Sequence, residues 1–163
     1  KITPFIHGGA QERNMRGGTE NVAGIVGLAK ALEICNSEME EHQRHIMGLK
    51  DYMKNALMQN IPGIEFNGET SHDRSLYTVL NCRFPKHPDA EMILFNLDIQ
   101  GIAASGGSAC SSGSNQGSHV LRGLGIEMER PSVRFSFSKY NTKEEIDFVV
   151  NKVTELFSVK EKV

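Results

Sequence analysis

The pair Pro62–Gly63 separates two kinds of hydrophobic rhythm in this chain. Ahead of it, apolar residues recur at helical spacing through residues 21–60. Beyond it, short β-rich runs alternate with short helical ones. Together they predict an α/β chain: a long helical stretch leading into an α+β domain, a small sheet with helices packed on it. The length of 163 residues fits one domain of ordinary size.

In the helical stretch, Thr19 reads as an N-cap with Glu20 in the first turn. Val22, Ile25, Val26, Ala29 and Leu32 follow at the helical period, and Ile46, Leu49, Met53, Ala56 and Leu57 resume it up to Gln59. The polar run "NSEMEEHQRH" between them reads as exposed helix. Residues Lys1 to Gly18 are loop-like, punctuated by Pro4 and the pairs Gly8–Gly9 and Gly17–Gly18. After Pro62, "IEFNG", "LYTVLNCRF", "GIAAS" and "SVRFSFS" read as strands. In the last of these Val133, Phe135 and Phe137 take one face, Arg134 and Ser136 the other. Pro88 opens a helix with Ala90, Met92, Ile93, Phe95 and Leu97 as its apolar side. "SHVLRGLG" reads as a short helix with Ser118 near its N-cap and Gly125 as its stop. The last helix, in "NTKEEIDFVVNKVTELF", has a Thr142/Glu145 capping box and a stripe of Ile146, Val149, Val150, Val153 and Phe157.

Composition narrows the function. A net charge of −2 gives nucleic acid no electrostatic footing. No apolar run is long enough to span a bilayer, and no secretory signal is visible. Cys35, Cys82 and Cys110 are odd in number and widely spaced, with no C-x-x-C. They suggest neither a disulfide framework nor a metal site, and a reducing, cytoplasmic setting is the simple expectation. The chain starts at Lys1, without methionine, directly in a Gly-rich polar stretch. That start reads as the middle of a longer protein, although a processed start would look the same.

Three places carry residues suited to chemistry. Cys110 lies in "ASGGSACSSGSNQGSH", almost all Gly, Ser and Ala. A thiol there fits a nucleophile or sulfur carrier on a mobile loop, and equally a cysteine that happens to lie in a Ser/Gly linker. Cys35 and Cys82, within a helix and a strand, read as structural. Arg134 sits mid-strand among apolar neighbours and needs an anionic partner. That partner is a substrate carboxylate or, the commoner outcome, an Asp or Glu of the chain. In "RGGTEN", Thr19 at a helix start offers a hydroxyl and free amides to an anion such as phosphate; an ordinary N-cap is the commoner outcome. The histidines, His7 and His119 among them, show no metal-ligand spacing.

Taken together these segments resemble one family. "SGGSACSSGS" is similar to the active-cysteine loop S-S-G-S-A-C-[ST]-S of NifS/IscS-type cysteine desulfurases. "HGGAQERNMRGGTEN" resembles that family's H-G-G-x-Q-E-R-x-x-R-x-G-T-x-N segment, and "VLRGLG" and "SVRFSFSKYNTKEEID" resemble the two segments that follow the cysteine loop. The order is kept from about Phe5 to Leu156. The resemblance implies a fold type I enzyme using pyridoxal 5'-phosphate, a homodimer, that converts L-cysteine to L-alanine. Sulfur is left as a persulfide and passed to an acceptor such as an iron–sulfur scaffold protein. By motif position it gives the persulfide to Cys110, the substrate carboxylate to Arg134, and the cofactor phosphate to Thr19.

Within that frame residues 1–20 correspond to the end of the large cofactor domain, 21–60 to a long connecting helix region, and 61–163 to the small C-terminal domain with the cysteine loop at 104–118. Two departures matter. Gly106 stands where the family usually has Ser, and the family's His-Lys pair, which carries the cofactor-linking lysine, is missing: "FPKHP" has the reverse order. The chain therefore reads as the C-terminal portion of such an enzyme, inactive alone and prone to associate through surface the large domain would cover. A selenocysteine lyase, and a cofactor-free sulfur-relay module that keeps Cys110 as carrier, are the other readings.

Overall fold

The structure, a computed structural model, describes residues 3–88, 92–106, 118–126 and 129–158. The chain divides into two compact units, Lys1–Glu40 and Glu41–Val163. The boundary falls inside the span read from sequence as one connecting helix region.

The first unit holds α1 (Gln11–Asn14) and α2 (Val22–Ser37). In α1 the residues Glu12, Arg13 and Asn14 have φ of 46, 56 and 66°, so the turn is left-handed. Each L-residue held there costs roughly 1–2 kcal/mol, which the surrounding loop must offset. The helix α2 starts later than Thr19. Its N-cap is Asn21, whose Oδ1 accepts the Gly24 N–H at 3.0 Å. Thr19 as N-cap is thus corrected: a stronger capping residue two positions on takes the role, and Glu20 falls outside the first turn. Val22, Ile25, Val26, Leu28 and Leu32 of α2 are all exposed, and no α2 residue is buried.

The helical period of residues 21–60 is carried by two helices, α2 and α3 (Met39–Asn60), with Glu38 as the non-helical break. Ser37 Oγ donates to the Ile34 carbonyl at 3.0 Å, a local bond that competes with helix continuation.

Beyond α3, the second unit comprises β1 (Glu65–Phe66), β2 (Val79–Arg83), α4 (Ile93–Ile99), α5 (His119–Gly123), β3 (Ser132–Ser136) and α6 (Lys143–Ser158). The strands form an antiparallel sheet in the order β1-β2-β3. "GIAAS" contributes a single bridge, Ser105 to Arg134, rather than a full strand. Period-two alternation sends Leu80, Cys82, Val133 and Phe135 inward. They join Ile46, Leu49, Met53 and Leu57 of α3, Ile93 and Leu97 of α4, and Ile146, Val150 and Val153 of α6 in one core. Each fully buried Leu or Phe contributes on the order of 1.5–3 kcal/mol.

Both caps expected in this unit are present. Thr142 and Glu145 exchange hydrogen bonds at 3.1 and 3.3 Å, and Ser118 Oγ accepts the Leu121 N–H at 3.4 Å. Gly125, at φ 69°, stops α5. One buried cation breaks the pattern. Lys50 on α3 is 2% exposed, its Nζ donating to Ser75 Oγ at 2.8 Å and the Leu76 carbonyl at 2.9 Å. Those bonds hold the loop before β2 against the helix.

Candidate active site

The phase of the β2–β3 ladder decides which groups face outward. Phe137 N–H bonds the Thr78 carbonyl at 2.8 Å and Phe84 N–H bonds the Pro131 carbonyl at 2.9 Å. Given the register Asn81↔Arg134, the residues Ser132, Arg134 and Ser136 then turn their backbone N–H and C=O away from β2. Arg134 uses both. Its N–H donates to the Ser105 carbonyl at 2.6 Å, and its carbonyl accepts the Ser105 N–H at 3.1 Å. The arginine is thereby fastened to the residue from which the cysteine segment departs.

The Arg134 side chain is exposed on the sheet face opposite the core. Its one described contact is from Nη2 to Ser105 Oγ, a long 3.4 Å. Among the described residues it makes no salt bridge. The other two arginines at this sheet are engaged: Arg83 and Arg130 both grip Glu65, Arg130 at 2.5 Å. The hydrogen bonds from Arg130 and then Arg83 hold the Glu65 carboxyl below its ordinary range. An intramolecular partner for Arg134, the commoner outcome on sequence grounds, is therefore not what the described residues contain.

Cys110 lies outside the described residues; both flanks of its segment are described. On one side Gly106 follows Ser105, and a Cβ built there would stand 2.5 Å from Leu94 Cδ1. That atom ends a flexible side chain, so the serine usual at this position fits once Leu94 turns. On the other side Ser118 is buried and caps α5. Cys82 is buried, and burial pushes its thiol well above the ordinary range, which makes it inert. Cys35, read as structural, is exposed on α2.

Thr19 belongs to the first unit, in a loop folded back on itself. Gly17 N–H bonds the Ile6 carbonyl at 2.9 Å, and a Cβ on Gly17 would stand 2.4 Å from Gly8 N. Only glycine permits that backbone crossing. Gly18, at φ 92°, donates its N–H to Gln11 Oε1 at 3.1 Å, and Arg16 Nη1 donates to the Gly18 and Thr19 carbonyls, both at 3.1 Å. Thr19 itself is exposed, and its hydroxyl has no partner among the described residues. An unengaged hydroxyl with a guanidinium bonded to its own carbonyl is a donor set that fits a phosphate group.

His7 and His119 are both exposed. Among the described residues no group of three or more His, Cys, Asp or Glu is placed to hold a metal. No described helix is long and apolar enough to cross a membrane. A groove of about 550 Å³, lined by Met53, Ile102, Phe137, Glu144 and Phe148 among others, includes neither Arg134 nor Thr19. Sequence reasoning passed over the polar residues around Arg134, its bridge partner Ser105 and its cross-strand partner Asn81, and the Asn67 and Ser132 side chains linked to Asn81. Their signal was the alternation in "VLNCR" and "SVRFS", which puts Asn81 and Ser132 on the arginine's face.

Comparison with known proteins identifies the family. The family model described as aminotransferase class-V matches residues 6–149. The chain is 40% identical over 153 residues to a cysteine desulfurase IscS of Dictyoglomus turgidum, covering 93% of this chain and 38% of that protein. It is 42% identical over 158 residues to a cysteine desulfurase IscS of Methanosarcina thermophila, covering 96% and 38%. Among solved structures, a NifS-like protein superposes with a TM-score of 0.75 at 34% identity, over 96% of this chain and 39% of the other. A NifS-like protein from Rickettsia africae does so at 0.74 and 29%, over 98% and 41%. The chain thus spans about two-fifths of the length of these relatives.

Proposed function

The chain belongs to the class-V aminotransferase family, and from that premise we propose that it is the C-terminal portion of a pyridoxal 5'-phosphate-dependent cysteine desulfurase. One observation carries the reading: an exposed guanidinium with no salt bridge among the described residues, Arg134, hydrogen-bonded through its backbone to the root of the segment that contains Cys110.

Arg134 takes the carboxylate of L-cysteine, a charge-assisted contact that orients the substrate and leaves its side-chain sulfur free. Cys110, as thiolate, forms a bond to that sulfur while the substrate carbon–sulfur bond breaks. The carbon fragment keeps the bonding electron pair and accepts a proton to become L-alanine, and Cys110 keeps the sulfur as a persulfide. Thr19, with Arg16 beside it, holds the cofactor phosphate. The bound cofactor supplies the electron sink for the cleavage. No lysine in this sequence follows a histidine, so the cofactor-linking lysine is assigned to a part of the enzyme outside this sequence. The working unit is a cytoplasmic homodimer that passes its sulfur to an acceptor such as an iron–sulfur scaffold protein, and the isolated chain is inactive.

The test is turnover of L-cysteine by the complete reading frame, with intact mass before and after. Formation of alanine and gain of one sulfur atom on Cys110, both lost in Cys110→Ser, is the expected result. Alanine formation that survives Cys110→Ser unchanged overturns the role of Cys110. A borohydride-stable pyridoxal phosphate adduct on the isolated chain, with turnover, overturns the assignment of the lysine elsewhere.

A further inference from the structure

A single guanidinium on an open sheet face does not by itself fix an amino acid in one orientation. We propose that Asn81 is a second donor of the carboxylate seat; this rests on the reading of Arg134 given above.

Asn81 and Arg134 are direct cross-strand partners, and both side chains leave the face opposite the core. Theirs is a non-hydrogen-bonded pair, the closer of the two antiparallel kinds, with Cβ atoms about 4.5–5.5 Å apart. The Asn81 amide is held in one orientation. Asn67 Nδ2 donates to Asn81 Oδ1 at 3.0 Å and to Ser132 Oγ at 2.9 Å, and the Asn67 N–H bonds the Asn81 carbonyl at 2.9 Å. This leaves Asn67 Oδ1 buried without a partner. Turning the Asn67 amide over would bury an N–H₂ group in its place, and orphaned N–H is tolerated less well than orphaned C=O. The network therefore commits the oxygen of Asn81 to Asn67 and leaves its Nδ2 with no acceptor among the described residues.

Two donors thus stand side by side, and the nearest carboxylate on this sheet, Glu65, is engaged by Arg83 and Arg130. Neighbouring donors with no carboxylate partner among the described residues suit a two-oxygen anion better than a single-atom one. Arg134 supplies the charge. Asn81 supplies direction, so that an α-carboxylate is held by both oxygens.

The test is the KM and kcat for L-cysteine of the complete enzyme carrying Asn81→Ala, Asn81→Asp, Asn67→Ala or Arg134→Ala. Loss of a hydrogen bond to a charged group predicts that Asn81→Ala raises KM about tenfold with kcat changed far less. Asn81→Asp keeps the shape but places an anion across from Arg134, and KM rises about a hundredfold or more. Asn67→Ala removes the same network without the donor and changes KM by about threefold or less. Equal effects of Asn67→Ala and Asn81→Ala would mean that Asn81 merely supports the sheet, and the proposal falls. It falls equally if Asn81→Ala and Asn81→Asp both leave KM unchanged. An unchanged KM in Arg134→Ala instead overturns the carboxylate reading itself. Should Asn81→Ala fail to fold, the isosteric Asn81→Asp still decides.

Discussion

At the scale of single residues, three arginines of one sheet behave differently because of what faces them. Arg83 and Arg130 are spent on Glu65, which locks β1 to the end of β2. Arg134 makes no salt bridge among the described residues, and the proposed reading gives it the substrate carboxylate. The Glu65 pair also makes a prediction about acid. Its folded carboxyl ionises below the ordinary value, so the unfolded chain takes up its proton first as pH falls. The stabilisation is complete above the ordinary carboxylate range and is lost as pH drops through the lowered value. Thermal melts between neutral and strongly acidic pH are expected to show a smaller acid-dependent fall in Glu65→Gln than in the parent. Equal falls in both would remove Glu65 from the account. Lys50 shows what sequence could not reveal at this scale. A lysine in a polar helical stretch reads as solvated, yet its partners are a hydroxyl and a carbonyl twenty-five and twenty-six positions away.

At the scale of elements, periodicity carried the reading well and boundaries less so. The buried faces of β3 and α6, the Thr142/Glu145 box and the Ser118 cap follow from alternation, helical spacing and capping chemistry, all of them local. The start of α2 did not follow, because "TEN" offers two capping residues two positions apart and only backbone geometry chooses Asn21. Asn21→Ala is therefore expected to weaken the first turn of α2 by about 1 kcal/mol, and Thr19→Val to leave it unchanged. Amide hydrogen exchange at Ala23 to Ile25 measures this, and a reversed ranking would restore Thr19 as the cap. The left-handed turn at Glu12–Asn14 was hidden for a different reason. None of its residues is glycine, and it lies inside a loop whose ends, Gly8 and Gly17, approach closely through the backbone. Of the candidate site, Arg134 was legible as a cation needing an anion. Asn81 was not singled out, since its meaning depends on a strand more than fifty positions away.

At the scale of the whole molecule, α2 stands apart from the rest of the chain's chemistry. Leu28 and Leu32 are 73% and 68% exposed, with Val22, Ile25 and Val26 beside them on the same helix. Apolar surface of this extent on one element favours association. The isolated chain is expected to sediment as concentration-dependent oligomers and to bind a hydrophobic dye, both reduced by the pair Leu28→Glu and Leu32→Lys. A dye-silent monomer at every concentration would count against this. The β2–β3 register has a further consequence, one of quality control. Sliding β3 by a single residue would push Arg134 into the core and expose Val133 and Phe135. Such a chain would fail to fold before it could present a faulty site. Correctness of the candidate face is thus proofread by the oil on its reverse, and any sequence drift that keeps the core packed keeps the arginine aimed outward.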